Sequence, residues 1–390
     1  MAIYLDHAAT TPMLPESAQT LISEATKVGN ASSLHLFGRA ARKGVEQARE
    51  AIAALAGADP TEVIFTASGT EANNLAVKGF YWKSIENDPQ RNVIVVAAFE
   101  HHAILEPVQW LAEHEGADLR YIPINPDGVI DLNYLQEVVA SERSHIAFIA
   151  VMHSNNEIGT LQPIAEVVEI AGDIPVHTDA VQSFGKVDFD FAALGVTSAT
   201  LSSHKLGGPL GVAALLLAHG EDLTPILHGG GQERDIRSGT INAPSILAFA
   251  TAATIACAAS EENYLRIKKL RDSLRDQIAS ALPDATFNGE SQRCLPGILN
   301  VTFPGTESDS LLLLLDNAGI AVSTGSACSA GVQRASHVLM AIGLSEEQAR
   351  SSIRFSLGVT TTQEDIDEVG RTIGAVVKSA QAAFAVGVRG

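Results

Sequence analysis

Six short runs are β-rich and almost continuously apolar: "EVIFT" (62–66), "NVIVVAA" (92–98), "HIAFIAVM" (145–152), "IPVHT" (174–178), "SATLSS" (198–203) and "GVAALLL" (211–217). Runs of this kind suit strands buried on both faces. Between several of them lie stretches with helical spacing, "EANNLAVKGFYWKSI" (71–85), "AILEPVQWLAEHE" (103–115), "LNYLQEVVASE" (132–142) and "PIAEVVEIA" (163–171). A chain that alternates in this way buries both faces of its strands by forming a mostly parallel sheet with helical cover, so the fold class is α/β.

Beyond Thr240 the texture changes. A long alanine-rich helical region is expected over roughly residues 243–281, carrying the chain out of the first domain. A second set of elements follows: strand "GILNVTF" (297–303), helix "SDSLLLLLDNAG" (308–319), a Gly/Ser/Ala loop (323–331), strand "SSIRFSLG" (351–358) and a terminal helix from Thr362. That is enough for a smaller α+β domain.

With 45 acidic against 26 basic side chains among 390 residues, the formal charge of −19 works against binding nucleic acid or an anionic membrane surface. No apolar run approaches the roughly 20 residues needed to span a bilayer, and "MAIYLDHAAT" lacks the basic segment of a targeting peptide, so a cytoplasmic location is expected. The three cysteines, Cys257, Cys294 and Cys328, match neither a disulfide framework nor a zinc motif. Cys257 lies in an apolar helical stretch and reads as core, Cys294 as a loop thiol. Cys328 sits in "STGSACSAG", among small residues that pack little and leave the backbone free, as suits an exposed nucleophile.

In open parallel sheets chemistry collects at the carboxyl ends of strands. One such end is Ser68-Gly69-Thr70, which reads as a strand-to-helix turn with a threonine cap or as an anion cradle. His101 and His102 follow another strand, where a helix-entry histidine is the plain reading. Asp179 and Gln182, in "VHTDAVQS", follow a third, where an aspartate is ordinarily a cap. Lys205, in "LSSHKLGGPLG" (201–211), is a strand-end surface charge if taken alone. Taken together they are the parts that hold pyridoxal 5'-phosphate: a lysine to bind it covalently, an acid for the ring nitrogen, a phosphate cradle and a ring to stack on the pyridine.

A resemblance then becomes specific. "IYLDHAATTP" (3–12), "GNASSLH" (29–35), "SGTEANNLAVKG" (68–79), "EHHAIL" (100–105), "NNEIGT" (155–160), "HTDAVQS", "SSHKLGGPLG", "HGGGQERDIRSGT" (228–240), "STGSACSAG" and "SSIRFSLG" together resemble a cysteine desulfurase of the NifS/IscS kind, a class V pyridoxal-phosphate enzyme of fold type I. The resemblance runs from end to end. It implies a large domain over residues 15–257 built on a seven-stranded sheet, and a small one over residues 1–14 and 258–390 that carries the Cys328 loop. Lys205 would hold the cofactor, His101 stack on it, Asp179 pair with its ring nitrogen, and Gln182 bond its phenolate oxygen with Asn156 nearby. Gly69, Thr70, Ser202 and His204 would hold the phosphate, and Thr240 would reach the phosphate of a second subunit, implying a homodimer. Arg354 would grip the substrate carboxylate, a strand-end salt bridge being its plain reading, and Asn156 would lie against the substrate.

The implied reaction takes sulfur from L-cysteine onto Cys328 as a persulfide and releases L-alanine, with His101 carrying the thiol proton. The persulfide would go to an acceptor, an iron–sulfur scaffold or a tRNA-thiolation protein. No intrinsic metal is implied, Cys328 being at most a transient ligand for an iron–sulfur cluster. The chain departs from the family pattern in "NASS" for "NPSS", in Ser203 where glycine is usual and in Leu210 where lysine is common. Ser203 is the departure that could touch the phosphate contacts. A class V aminotransferase or a selenocysteine lyase would share Lys205, Asp179 and His101, and a non-catalytic sulfur-assembly platform would need none of them.

Overall fold

The computed structural model describes residues 2–289, 292–325 and 335–387. In chain order the strands are β1 (Ile3–Tyr4), β2 (Val63–Thr66), β3 (Val93–Ala97), β4 (Asp118–Ile122), β5 (Ile146–Ala150), β6 (Val176–Asp179), β7 (Ser198–Ser202), β8 (Ala213–Leu217), β9 (Thr286–Asn288), β10 (Ile298–Thr302), β11 (Ile320–Ala321) and β12 (Ser352–Ser356). Seven of them form one sheet in the order β2-β8-β7-β6-β5-β3-β4. Only β8 runs against its neighbours, so β2 through β7 end on the same edge.

All six runs expected as strands are present, and β2, β3, β5, β6, β7 and β8 are buried along their whole length. The seventh strand, β4, was not legible as one. It is an edge strand with sequence "DLRYI", and an edge tolerates the exposed Asp118 and Tyr121 that a central strand would exclude. The helices Pro15–Ala25 and Leu36–Ala56 were likewise not foreseen. Both pack on the helix Ala243–Ala258, and the second buries Val45, Ala48, Ile52 and Ala56 at the spacing of one helix face.

The helical region expected over residues 243–281 is present as two helices, Ala243–Ala258 and Ser260–Ala281, bent by 69°. The first is apolar all round and lies in the core of the large sheet. The second buries only the stripe Ile267, Leu270, Leu274 and Ile278, at the spacing of one helix face. That stripe joins Leu299, Val301, Ile353 and Phe355 of the antiparallel sheet β12-β10-β9, together with Ile366, Val369 and Ile373 of the terminal helix, in a second core. Among the described residues no single helix is long and apolar enough to cross a membrane.

The amino-terminal strand β1 pairs with β11, and Asp6 bridges to Ser356, so the chain from Asp6 to Thr11 runs between the two cores. This strap brings backbone carbonyls and a carboxylate to the edge where β2 to β7 end.

Candidate functional site

Lys205 closes a 3-10 turn, Ser203–Lys205, directly after β7. Its Nζ donates to the carbonyls of Ala8 and Ala9 in the strap, at 2.6 and 2.7 Å. Burial and the charge of Arg354 lower its pKa to about 8, against the opposing pull of Asp179 and Asp6. Desolvation therefore outweighs the nearby carboxylates, and the amine reaches its neutral, nucleophilic form at a lower pH than an ordinary lysine.

Asp179 ends β6 and is 6% exposed. Its Oδ2 accepts from Asn73 Nδ2 at 2.7 Å and its Oδ1 from the Val181 amide at 2.9 Å. Asn73 Oδ1 in turn faces His177 Nε2 at 3.1 Å, and His177 Nδ1 faces Ser198 Oγ at 2.7 Å. An amide oxygen only accepts, so His177 carries its proton on Nε2 and takes the Ser198 hydroxyl proton at Nδ1. Burial holds the His177 pKa down at about 3, which keeps the imidazole neutral. The carboxylate is thus aimed by a closed, buried chain, more than the cap expected of an isolated aspartate. Asn73 and His177 lie within motifs read from the sequence, but their roles depend on contacts across the sheet.

At the end of β2 the helix Gly69–Asn87 begins. Its cap is Ser68, whose Oγ accepts from the Glu71 amide at 3.1 Å, and not the threonine expected. The amides of Gly69 and Thr70 take no partner among the described residues, as the first turn of a helix leaves them. A Cβ at Gly69 would press on Val181 Cγ2 at 3.2 Å, so glycine keeps this turn close to β6. Ser202 ends β7, 3% exposed. His204 lies half-buried with Nδ1 3.1 Å from Thr10 Oγ1. Burial, then Lys205 and Lys186, lower its pKa to about 4.

His101 follows β3 and enters the helix His102–Glu115, its Nδ1 accepting from the Ala103 amide at 3.1 Å. The plain reading of a helix-entry histidine therefore holds, and the ring still borders the recess that Asp179 and Lys205 share. Desolvation lowers its pKa; Asp179 opposes this, while Lys205, His102 and His337 add to it. Gln182 bonds the strap through Nε2 to Ala8 O at 2.8 Å. Asn156 contributes its backbone carbonyl to Arg354 Nη1 at 3.0 Å. Arg354, 4% exposed, also pairs with Asp6 at 2.7 Å, and its Nε has no partner among the described residues. The strand-end salt bridge is present, and it presets the guanidinium at the site.

The stretch "HGGGQERDIRSGT" is pinned by two ion pairs that sequence reasoning did not assign. Glu233, 2% exposed, takes Arg49 in a fork at 2.8 Å on each side and also accepts from the Phe65 amide. Arg237 pairs with Glu71 in the first turn of the helix carrying Thr70, at 2.6 Å. Arg234 and Asp235 have left-handed backbones, at φ 56° and 58°. The result is an exposed Thr240 at the end of a firmly held loop.

Ser203 begins the 3-10 turn that Lys205 closes and is fully buried. Its buried hydroxyl lies where a Cβ on Gly208 would fall and has no hydrogen-bond partner among the described residues. Cys257 is part-buried and its thiol pKa is pushed up to about 11 by burial, as a core cysteine requires. Cys294 is not an incidental loop thiol: its backbone bridges to Thr160 and its Sγ accepts from Arg271 Nη1 at 3.0 Å. Cys328 lies outside the described residues.

A free amine of lowered pKa, a sealed carboxylate and a helix N-terminus with two free amides converge from the ends of β7, β6 and β2. This donor set suits a phosphorylated, cationic heteroaromatic aldehyde, and pyridoxal phosphate is such a group.

The comparisons agree with this geometry. The family model "Aminotransferase class-V" matches residues 3–369. An IscS-like cysteine desulfurase from Mycobacterium tuberculosis is 47% identical over 386 residues, 98% of each chain. A solved NifS-like protein superposes with a TM-score of 0.89 at 33% identity, covering 97% of this chain and 100% of its own. The structure titled "SspA in complex with cysteine" matches with a TM-score of 0.79 at 33% identity over 91% of this chain and 98% of its own. By sequence, fold and site the chain belongs to the class V aminotransferases, in their branch of IscS/NifS-like cysteine desulfurases, a family that works with pyridoxal phosphate.

Proposed function

We propose that this cysteine desulfurase takes its sulfur from L-cysteine, stores it as a persulfide on Cys328 and releases L-alanine. The observation that carries the reading is the convergence of Lys205 and Asp179 beside the free amides of Gly69 and Thr70. The cysteine-bound state of a structural relative supports the substrate class.

Pyridoxal phosphate, once bound, supplies an electron sink for bonds broken at the substrate's α-carbon. Gly69, Thr70, Ser202 and His204 would hold its phosphate, Asp179 its ring nitrogen and Gln182 its phenolate oxygen, while His101 would cover the ring. Lys205 would be the covalent anchor, and its amine would move the substrate's α-proton. Arg354, held between Asp6 and the carbonyl of Asn156, receives the substrate carboxylate on its remaining donor edge. His101, kept neutral by its lowered pKa, takes the substrate thiol proton. The Cys328 thiolate attacks the substrate sulfur and the carbon–sulfur bond breaks. Its electron pair stays with the carbon skeleton, which takes up a proton and leaves as alanine.

The active form in this reading is a homodimer, Thr240 reaching the partner's phosphate site. Its exposure supports this, as do Leu34, Leu36 and Phe37, exposed at 84, 68 and 60%. Residues 15–257 form the large domain, and residues 1–14 with 258–390 the small one, in keeping with the two cores. The persulfide goes to an acceptor protein, an iron–sulfur scaffold or a tRNA-thiolation protein, in the cytoplasm.

The test is incubation of the loaded chain with L-cysteine, with alanine and sulfide assayed and the extra sulfur located by mass spectrometry. Label on Cys328 and not on Cys257 or Cys294 is expected. Cys328→Ser should keep the cofactor yet lose alanine release by orders of magnitude, since a hydroxyl is a poor nucleophile toward sulfur. Undiminished desulfuration by that variant would refute the mechanism. Subunit exchange between Lys205→Ala and Thr240→Ala chains should restore partial activity; two inactive parents that stay inactive on mixing would end the shared-site reading.

A further inference from the structure

Lys186 lies four residues beyond Gln182, in the turns that follow β6. Its ammonium donates to Gln182 Oε1 at 3.2 Å, while Nε2 of the same amide donates to the Ala8 carbonyl at 2.8 Å. Lys205 Nζ meets that carbonyl from the other side at 2.6 Å. An ammonium only donates and a carbonyl only accepts, so this series admits one orientation of the Gln182 amide.

The surroundings of Lys186 are those of a group kept at a cost. Burial, then the charges of Lys205 and Arg354, bring its pKa to about 7. Its own charge adds to the lowering of His7 and His204. Among the described residues no carboxylate pairs with it. Asp188, Glu166 and Glu261 line the outer recess that Lys186 borders, and His7, Gln182, Lys205 and Tyr264 line the cavity of about 100 Å³ on its inner side. A lysine free to reach solvent would avoid two neighbouring cations.

We propose that Lys186 is a positioning residue for the cofactor-facing amide: it holds Gln182 with the NH2 group turned toward the Lys205 site and places a second ionisable amine behind it. This rests on Gln182 being the donor to the phenolate oxygen. A donor beside a phenolate, and below about pH 7 the Lys186 cation behind it, stabilise the negative charge and disfavour a proton on the neighbouring Lys205 nitrogen. Losing either raises the pH at which that nitrogen gives up its proton.

The readout is the pH midpoint of the visible absorbance band of the pyridoxal-phosphate-loaded chain. Lys186→Met should raise it by about one unit, Gln182→Ala should move it in the same direction, and Lys186→Arg, still a donor-only cation, should stay near the parent. A parental midpoint in Lys186→Met beside a shifted one in Gln182→Ala would overturn the proposal while leaving the role of Gln182 intact. No shift in either would overturn it through its premise, and place the failure in the reading of Gln182. If Lys186→Met does not fold, Lys186→Gln, which can offer either end of its amide, decides by the same shift.

Discussion

The two halves of the site are built to different standards. Around Asp179 everything is sealed: Asn73, His177 and Ser198 are at most 1% exposed and their hydrogen bonds close into a chain with one proton arrangement. Around Lys205 the groups are looser, the lysine resting on two backbone carbonyls, His204 half-buried and His101 open to the recess. The difference follows from the work of each half. A charge that must stay constant through a reaction is best buried with fixed partners, whereas groups that form bonds and move protons need room and a pKa near the working pH.

The sharpest break of this comparison is Lys205→Ala. It should abolish turnover and the visible cofactor band while circular dichroism shows a folded chain, because the lysine's contribution is covalent; alanine formed from cysteine at the parental rate would remove Lys205 from the mechanism. On the sealed half, Asp179→Asn keeps the shape and removes the charge. Activity should fall roughly a thousandfold with the cofactor still bound. Asn73→Ala leaves the charge but opens the chain that aims it, stranding His177 Nε2–H and one carboxylate oxygen. It should lose about 1–3 kcal/mol of stability and roughly tenfold in kcat, read by denaturant unfolding and steady-state kinetics. A fall in kcat as deep as that of Asp179→Asn would show that Asn73 does more than aim.

On the looser half the prediction is one of pH. The Lys205 pKa is lowered to about 8, and the neutral amine is the nucleophile, so attachment of pyridoxal phosphate to the stripped chain should speed up with rising pH and level off above about 8. Below that value the rate should change about tenfold per unit. A rate still climbing at pH 10 would mean that burial does not act on this amine as described. The smallest effect is expected for Ser203→Gly, which removes a buried hydroxyl beside Gly208. Stability should change by about 1 kcal/mol or less, with cofactor affinity unaltered, since that hydroxyl has no bond to lose.

Reading the sequence alone located the strands whose two faces are buried, because most of them are nearly continuous apolar runs. It missed β4, where an edge admits Asp118 and Arg120, and it placed a helical region over 243–281 without marking the bend at Ala259. The reactive residues were legible because each sits directly after a strand, where local order already puts it on the chemical edge. Their supports were not. Asn73 and His177 are 104 residues apart, and Arg49 and Glu233 are 184 apart, separations that no local pattern spans. Cys294 looked incidental for the same reason, its partner Arg271 lying 23 residues earlier on the helix Ser260–Ala281.

What the amino-acid order determined by itself is therefore the class of fold and the place of the candidate reactive groups. Hydrophobic period sets which segments become strands and helices, and strand ends set where Lys205, Asp179, His101 and Gly69 emerge. Only the tertiary structure decided their chemical state. Desolvation of Lys205, the single proton arrangement from Ser198 through His177 and Asn73 to Asp179, and the orientation of the Gln182 amide between Lys186 and Ala8 all arise from groups brought together across the sheet and the strap. Burial and hydrogen-bond direction are properties of assembled neighbours, and a linear chain does not have them until it folds.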